Sequence, residues 1–375
     1  MGPDYLMNIP FLELKSGYLE FKEEFDAAYH RFMESGLYVL GDEVAAFETE
    51  YAAYCQSSHC VGVGHGLDAL HLALRALGVG PSDEVIVPSN TYIATWLAVT
   101  QAGATNVPVE PDPLTFNIDP SRIEESITKN TKAILAVNLY GQPCDYDASL
   151  DIAQRYGLKV AIDNAQAQGA RYKGREVGGI ADIECHSFYP SKNLGAFGEA
   201  GAITTNDETL ADKIRVLRNY GSRVRYYNEV QGYNSRLDAL QAAFLRVKLR
   251  YLDEWNARRS KLAQEYLTRL SSLDTRIVLP SVPSWADPVW HLFVIRHPER
   301  DALQKHLVDR GIQTLIHYPV PAHLSGAYAS EFQMPDSNFP IAESLASEVL
   351  SLPIGAHMTE DQVGLVVDAV QSFPN

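Results

Sequence analysis

From about residue 58 to 220 the chain alternates short apolar runs with longer stretches of helical spacing, and this alternation limits the fold more than any other feature. His59 to Val63, Glu84 to Val87, the region around Val107, Ala133 to Asn138 and Val160 to Asp163 read as strands. Asp182 to Phe188 and Gly201 to Thr204 complete the series. Helices are expected between them at Leu67 to Leu77, Tyr92 to Gln101, Arg122 to Ile127 and Asp147 to Tyr156. Apolar strands alternating with helices predict an α/β fold with a mostly parallel sheet covered on both faces. Ligands on such sheets sit outside the carboxyl ends of the strands. Ser89, Asp163 and Ser187 fall near such ends.

The rest of the chain reads differently. Leu237, Leu240, Phe244, Val247, Tyr251 and Trp255 recur at three- and four-residue spacing, one face of a long amphipathic helix. It is expected to run out of the large domain into a smaller one. There, Val289 to Ile295 and Ile312 to Ile316 read as strands, and Glu299 to Asp309, Ile341 to Leu350 and Thr359 to Val370 as helices. Pro280 to Pro288 reads as a connection. A chain of 375 residues is long for one core. The expected division is a large domain over 9–245 and a smaller α+β C-terminal domain over 246–375. Met1 to Asn8 read as a loose leader.

Charge narrows the function. With 31 basic and 47 acidic residues the formal charge is −16. That argues against nucleic-acid or anionic-membrane partners, since no basic surplus exists to neutralise phosphates. No apolar run approaches a membrane span, and the start lacks a basic-then-apolar signal. Cys55, Cys60, Cys144 and Cys185 form no CxxC pair and no Cys/His quartet, so no structural metal is expected. They read as buried free thiols in a reducing cytoplasm.

Lys192 stands in Ser187-Phe188-Tyr189-Pro190-Ser191-Lys192-Asn193-Leu194-Gly195, just after a strand. Asp163 ends another strand. A lysine and an acid so placed suit pyridoxal phosphate. The amine can form a Schiff base with the aldehyde, and the carboxylate can keep the pyridinium nitrogen protonated. Gly62-Val63-Gly64-His65-Gly66-Leu67-Asp68-Ala69-Leu70 joins a strand to a helix. It fits a phosphate site at a helix start, or equally a plain strand–turn–helix with Asp68 near the cap. Leu67 breaks the dinucleotide fingerprint, and no GK[ST] end makes a P-loop. Tyr92 opens a helix and could stack on a flat ring, or could be a core tyrosine. Gln166 could touch a ring hydroxyl or cap a turn.

In order, these pieces resemble one family. They are Gly66-Leu67-Asp68-Ala69-Leu70, Thr91-Tyr92-Ile93-Ala94-Thr95, Asn138-Leu139-Tyr140-Gly141-Gln142-Pro143 and Asp163-Asn164-Ala165-Gln166-Ala167-Gln168-Gly169-Ala170. The Lys192 run, Gly232-Tyr233-Asn234-Ser235-Arg236-Leu237-Asp238 and Gln241-Ala242-Ala243 follow. The sequence resembles the DegT/DnrJ/EryC1/StrS nucleotide-sugar aminotransferases, from about Ile9 to the C-terminus. The resemblance implies the aspartate-aminotransferase fold (PLP fold type I) and a cytoplasmic enzyme that uses pyridoxal 5'-phosphate. Lys192 is then the Schiff-base lysine, Asp163 the partner of the ring nitrogen, Gln166 a ring-oxygen contact and Tyr92 the stacking aromatic. Gly66, Leu67, Asp68 and Ser187 hold the phosphate. Asn234 reaches the neighbouring subunit's phosphate, which implies a homodimer with shared sites. Asn164 and Ile162 depart from the family pattern, where alanine and glutamate are common.

The stretch Asn219 to Val230, with Tyr226 and Tyr227, resembles the branch acting at C3 of dTDP-3-keto-6-deoxyhexoses. His317, Tyr318 and His323 lie in a His-Tyr-Pro-x-Pro-x-x-His run that the family places near the sugar. The implied reaction moves an amino group from L-glutamate to C3 of the dTDP-linked ketosugar. The alternatives are amination at C4, a sugar dehydratase (which Lys192 disfavours, since dehydratases of the family carry histidine there), or a silent PLP-binding regulatory protein.

Overall fold

A computed structural model describes residues 8–271, 276–332 and 339–374. Met1 to Met7 of the expected leader lie outside the described residues. The large sheet has seven strands: β1 (His59–Val63), β2 (Glu84–Pro88), β3 (Thr105–Val109), β4 (Thr131–Val137), β5 (Lys159–Asp163), β6 (Ile183–Ser187) and β7 (Gly201–Thr205). Their spatial order is β1-β7-β6-β5-β4-β2-β3. The strands β6, β5, β4, β2 and β3 are mutually parallel. β7 runs antiparallel to both neighbours, β1 and β6. No helix separates β6 from β7, so the chain turns straight back and must pair antiparallel, whereas each parallel step needs a crossover.

Helices α1 (Gly66–Ala76) and α2 (Ile93–Gln101) start just past β1 and β2. One apolar cluster joins Leu70, Leu74, Trp96 and Val99 of these helices to Val85, Leu135 and Ala161 of the sheet. The opposite face buries Ile86, Ile134, Val160 and Ile162 against Tyr146, Ile152 and Val177. This two-sided burial explains why the inner strands β2, β4 and β5 read as apolar runs.

Four expectations need correction. The helix expected at Arg122 to Ile127 is two short 3-10 turns, Pro120–Arg122 and Glu124–Ser126. Only Ile123 there is buried, too little apolar anchorage to hold a longer helix. The long amphipathic helix is two helices, α3 (Ala239–Leu249) and α4 (Leu252–Ser271). The bend between them lays Tyr251 on Phe21, ring centroids 3.6 Å apart. Ile341 to Leu350 divides into a helix, Pro340–Glu348, and a strand, Val349–Leu352, which pairs antiparallel with Phe293–Arg296. Ile312 to Ile316 makes only isolated bridges, Ile312 to Ile9 and Leu315 to Ser351. The helices Arg300–Val308 and Glu360–Gln371 stand where expected, the second opened by a Thr359–Gln362 capping box. They share a cluster with α4 and the small sheet through Leu262, Tyr266, Phe293, Leu303, Leu350 and Val366.

Candidate active site

The carboxyl ends of β5 and β6, the start of α1 and the start of α2 border one cleft of about 600 Å³. Gly66 makes the first approach possible. A Cβ on Gly66 would lie 2.6 Å from the Ser187 Cβ, so only glycine lets α1 begin against the end of β6. His65 caps the helix, its Nδ1 accepting from the Asp68 N–H at 3.1 Å. That cap engages the Asp68 amide, one of the groups expected to hold phosphate. The Gly66 and Leu67 N–H groups have no partner among the described residues, and both residues line the cleft. Two free donors at a helix start, beside the Ser187 hydroxyl, make an anion site.

Asp163 lies at the cleft floor, 6% exposed. Its Oδ2 accepts from Thr95 Oγ1 at 3.0 Å and its Oδ1 from the Ala165 N–H at 3.0 Å. Burial pushes the carboxyl up from its ordinary value, opposed by these two donors and by the Lys192 charge. Lys192 lines the same cleft, and burial lowers its amine to about 8, opposed by Asp163. Each charge is therefore costly alone and supported by the other. An amine lowered this far is more readily neutral, and hence nucleophilic.

The lysine turn is held from below. Lys192 N–H donates to Tyr189 O at 2.8 Å, and Ala196 N–H to Phe188 O at 2.7 Å. Lys248 of α3 donates to Gly195 O at 2.6 Å. Asn193 donates to Asn256 Oδ1 of α4 at 2.8 Å and to Val289 O at 2.9 Å. The bent pair α3 and α4 thus clamps the turn on both sides of its bend. Asn164, the departure beside Asp163, donates to Glu184 and accepts from Asn138. It serves a buried network behind the carboxylate. Ile162 is fully buried in the sheet.

Aromatic and amide groups line the cleft wall. Tyr92 is exposed, and its ring lies 5.1 Å from Tyr318, tilted by 36°. Gln166 donates to the Tyr318 hydroxyl at 2.9 Å, and its Oε1 accepts from Tyr140 N–H at 2.6 Å. His317 bonds Ser351 Oγ through Nδ1 at 2.8 Å, and burial with the Lys192 charge lowers it to about 4. Of the expected residues, Gly66, Leu67, Tyr92, Asp163, Gln166, Ser187, Lys192, His317 and Tyr318 line this cleft.

Asp68, Asn234, Tyr226, Tyr227 and His323 are not among its lining residues. Asn234 accepts from Arg236 at 2.7 Å. Tyr226 and Tyr227 stand 81% and 73% exposed on the hairpin that pairs Ser222–Val224 with Tyr227–Asn228. His323 is buried against Phe339 and Glu343, its Nε2 2.9 Å from the carboxylate. Three residues at the site were not singled out from sequence: Thr95, Asn193 and His291. Thr95 closes the Thr91-to-Thr95 motif, one helical turn from Thr91, which it meets at 3.0 Å. For His291 the only signal is a polar residue inside the apolar run Val289 to Ile295, of which only Phe293–Arg296 forms the strand, and the sequence offers no partner for it.

The chain matches the family described as the DegT/DnrJ/EryC1/StrS aminotransferase family over residues 20–371. It is 55% identical over 98% of its length to the erythromycin biosynthesis sensory transduction protein EryC1 of Saccharopolyspora erythraea, all of which is covered. It is 54% identical over 97% of its length to the dTDP-3-amino-3,4,6-trideoxy-alpha-D-glucose transaminase of Streptomyces venezuelae, 96% of which is covered. The crystal structure of S. venezuelae DesV in complex with a ketimine intermediate superposes with a TM-score of 0.95 at 55% identity, covering 97% of this chain and 98% of that one.

Proposed function

Because the chain belongs to the DegT/DnrJ/EryC1/StrS aminotransferase family, we propose that this cleft moves an amino group from L-glutamate to C3 of a dTDP-linked 3-keto-6-deoxyhexose. The protein is a PLP-dependent nucleotide-sugar aminotransferase of the aspartate-aminotransferase fold, fold type I. The observation that carries the reading is the buried Asp163, anchored by Thr95 and Ala165 and facing the same cleft as Lys192.

The residues present fit pyridoxal 5'-phosphate. The partnerless Gly66 and Leu67 N–H groups and the Ser187 hydroxyl suit its phosphate. Asp163 suits a protonated ring nitrogen, Tyr92 the ring face and Gln166 the ring oxygen. When bound, the cofactor supplies an electron-withdrawing ring that stabilises negative charge on the reacting carbon. Lys192 is the covalent anchor. Once its amine is free, Nζ takes the proton from the glutamate Cα and, in the second half-reaction, returns a proton to C3 of the sugar.

Asn234, Tyr226 and Tyr227 lie outside their own chain's cleft, so the reading assigns them to the cleft of a second copy in a homodimer. There Asn234 meets the phosphate and the tyrosines meet the sugar nucleotide. His317 and Tyr318 face the sugar from within the chain. His323, tied to Glu343, supports that segment from behind. Free, buried thiols at all four cysteines suit the reducing cytoplasm in which we place the enzyme. Among the described residues no helix is long and apolar enough to cross a membrane.

Regiochemistry follows from placement. The lysine fixes where the reaction occurs, so the anchoring of nucleotide and sugar decides which ring carbon arrives there. The relative named as a dTDP-3-amino-sugar transaminase supports C3. NMR of the product formed from glutamate and each of the 3-keto and 4-keto sugars tests this. Efficient amination at C4 with none at C3 would overturn the C3 assignment.

A further inference from the structure

The helix Pro340–Glu348 has no cap of its own. Phe339 at its N-cap makes no side-chain cap bond, and Pro340 brings no N–H to the first turn. The cap comes instead from Glu110, 231 residues away, just past the carboxyl end of β3. Glu110 Oε1 accepts from the Ile341 N–H at 2.7 Å, and Oε2 from the Ala342 N–H at 3.1 Å. Oε2 also accepts from the Ser89 hydroxyl at 2.9 Å, at the carboxyl end of β2. Glu110 is 6% exposed, and Ser89 is fully buried. Among the described residues no lysine, arginine or histidine pairs with this carboxylate, so its charge rests on the three donors and the positive end of the helix.

The three donors belong to two walls of the cleft. Ser89 precedes Tyr92 by three residues, and Tyr92 opens α2. The helix backs the opposite wall. Its Ala342, Leu345 and Ala346 border one small void with His317 and Tyr318. Ile341 and Leu345 share an apolar cluster with Tyr318 and Tyr140. At the far end of the helix Glu348 pairs with Arg296 at 2.8 Å, and Arg296 donates to Pro113 O at 3.3 Å. The helix is thus pinned at both ends to the short segment that starts at Glu110. Between the walls the Tyr92 and Tyr318 rings lie 5.1 Å apart, and Gln166 holds Tyr318 only by its hydroxyl. The back of Tyr318 is left to the helix.

We propose that Glu110 is a positioning residue for the sugar side of the cleft: one buried carboxylate ties the end of β2, which leads to Tyr92, to the helix behind His317 and Tyr318, and so sets the gap between the two walls. The inference rests on the aminotransferase reading for what enters that gap, and on the three hydrogen bonds for its geometry. Two acceptor oxygens serve donors on both sides. An amide in either orientation would set its NH2 against one of the two backbone N–H groups.

The test is hydrogen–deuterium exchange of the full chain, freed of cofactor, in wild type and Glu110→Gln. Exchange should quicken by about tenfold over 340–348 and, together with it, over 317–324, the scale of losing a hydrogen bond to a charged group. Faster exchange confined to 340–348 would make Glu110 a helix cap and nothing more, and would overturn the proposal, as would no change in either segment. In the cofactor-loaded enzyme, KM for the sugar nucleotide should rise about fivefold in Glu110→Gln with KM for glutamate unchanged. Equal rises for the two substrates, or none, contradict the positioning role. Ser89→Ala removes one donor and leaves the helix capped, so it serves if Glu110→Gln does not fold. It should raise KM for the sugar nucleotide by about threefold with exchange over 340–348 unchanged, and an unaltered KM would count against the bridge. Failure of the aminotransferase reading shows itself separately, as a wild-type protein without turnover, while the exchange result stands on its own.

Discussion

The turn carrying Lys192 and the hairpin carrying Tyr226 and Tyr227 contrast at every level. The turn is clamped by Lys248, Asn256 and Val289, and its neighbour Asp163 is 6% exposed with two fixed donors. The hairpin stands clear of the core, its tyrosines mostly exposed, and Arg223 ties it to Asp212 and Glu229 at the surface. Exposed ion pairs of that kind contribute about 0–1 kcal/mol each. The difference separates two tasks. Chemistry at one carbon needs groups held rigidly, so their supports are buried. In the proposed reading, recognition of the large, charged substrate falls to such a surface element, where adjustment is tolerated.

The contrast can be broken first at Asp163. Asp163→Asn should fold, yet lose kcat by about 10²–10³-fold, the scale of deleting one preorganised charge-stabilising group. Near-normal turnover would make the acid structural and erase the distinction. Thr95→Val probes the same rigidity one step out. It removes one hydrogen bond to the carboxylate and should cost about 1–1.5 kcal/mol, about tenfold in kcat. The ratio of kcat values at matched saturation measures it.

The hairpin should respond in the opposite sense. Tyr226→Ala and Tyr227→Ala should shift stability by no more than about 0.5 kcal/mol, as exposed positions do. Their KM for the sugar nucleotide should rise by several-fold, with KM for glutamate unchanged. A fall in melting temperature with no change in KM would place these tyrosines in the fold and not in recognition.

The smallest effect is in pH and stability. Burial lowers the Lys192 amine to about 8 from the ordinary lysine value of 10.5. Between those values the unfolded chain binds more protons than the folded one, so stability rises with pH across that window. Below about 8 the full cost of burying the charge is present. The melting temperature of Lys192→Met minus that of wild type, both free of cofactor, should therefore shrink from pH 8 to 10.5. A constant difference would mean that the amine titrates as an exposed lysine.

What was legible in the sequence follows the same division. The strands β2, β4 and β5 were readable because both faces of the sheet are covered there, leaving apolar runs, whereas β3, with Thr105, Asn106 and Pro108, shows only around Val107. Lys192 and Asp163 were readable because each follows such a run. The reversed direction of β7 was not, because apolar runs carry no sign of direction. The break at residues 250–251 was hidden because α3 and α4 both bury apolar faces and the spacing continues across the bend. Thr95, Asn193 and His291 gain meaning only from contacts with residues far along the chain, Asp163 for the first and each other for the second and third. Periodicity cannot reveal such pairs.

Lys192 as the covalent anchor of the cofactor is the assignment on which every other proposed role depends. Borohydride reduction of the purified protein followed by peptide mapping measures it directly. A pyridoxyl group is expected on Lys192 alone, in the peptide spanning Ser187 to Gly195. A label on any other lysine, or a protein that carries none after incubation with pyridoxal 5'-phosphate, would contradict it.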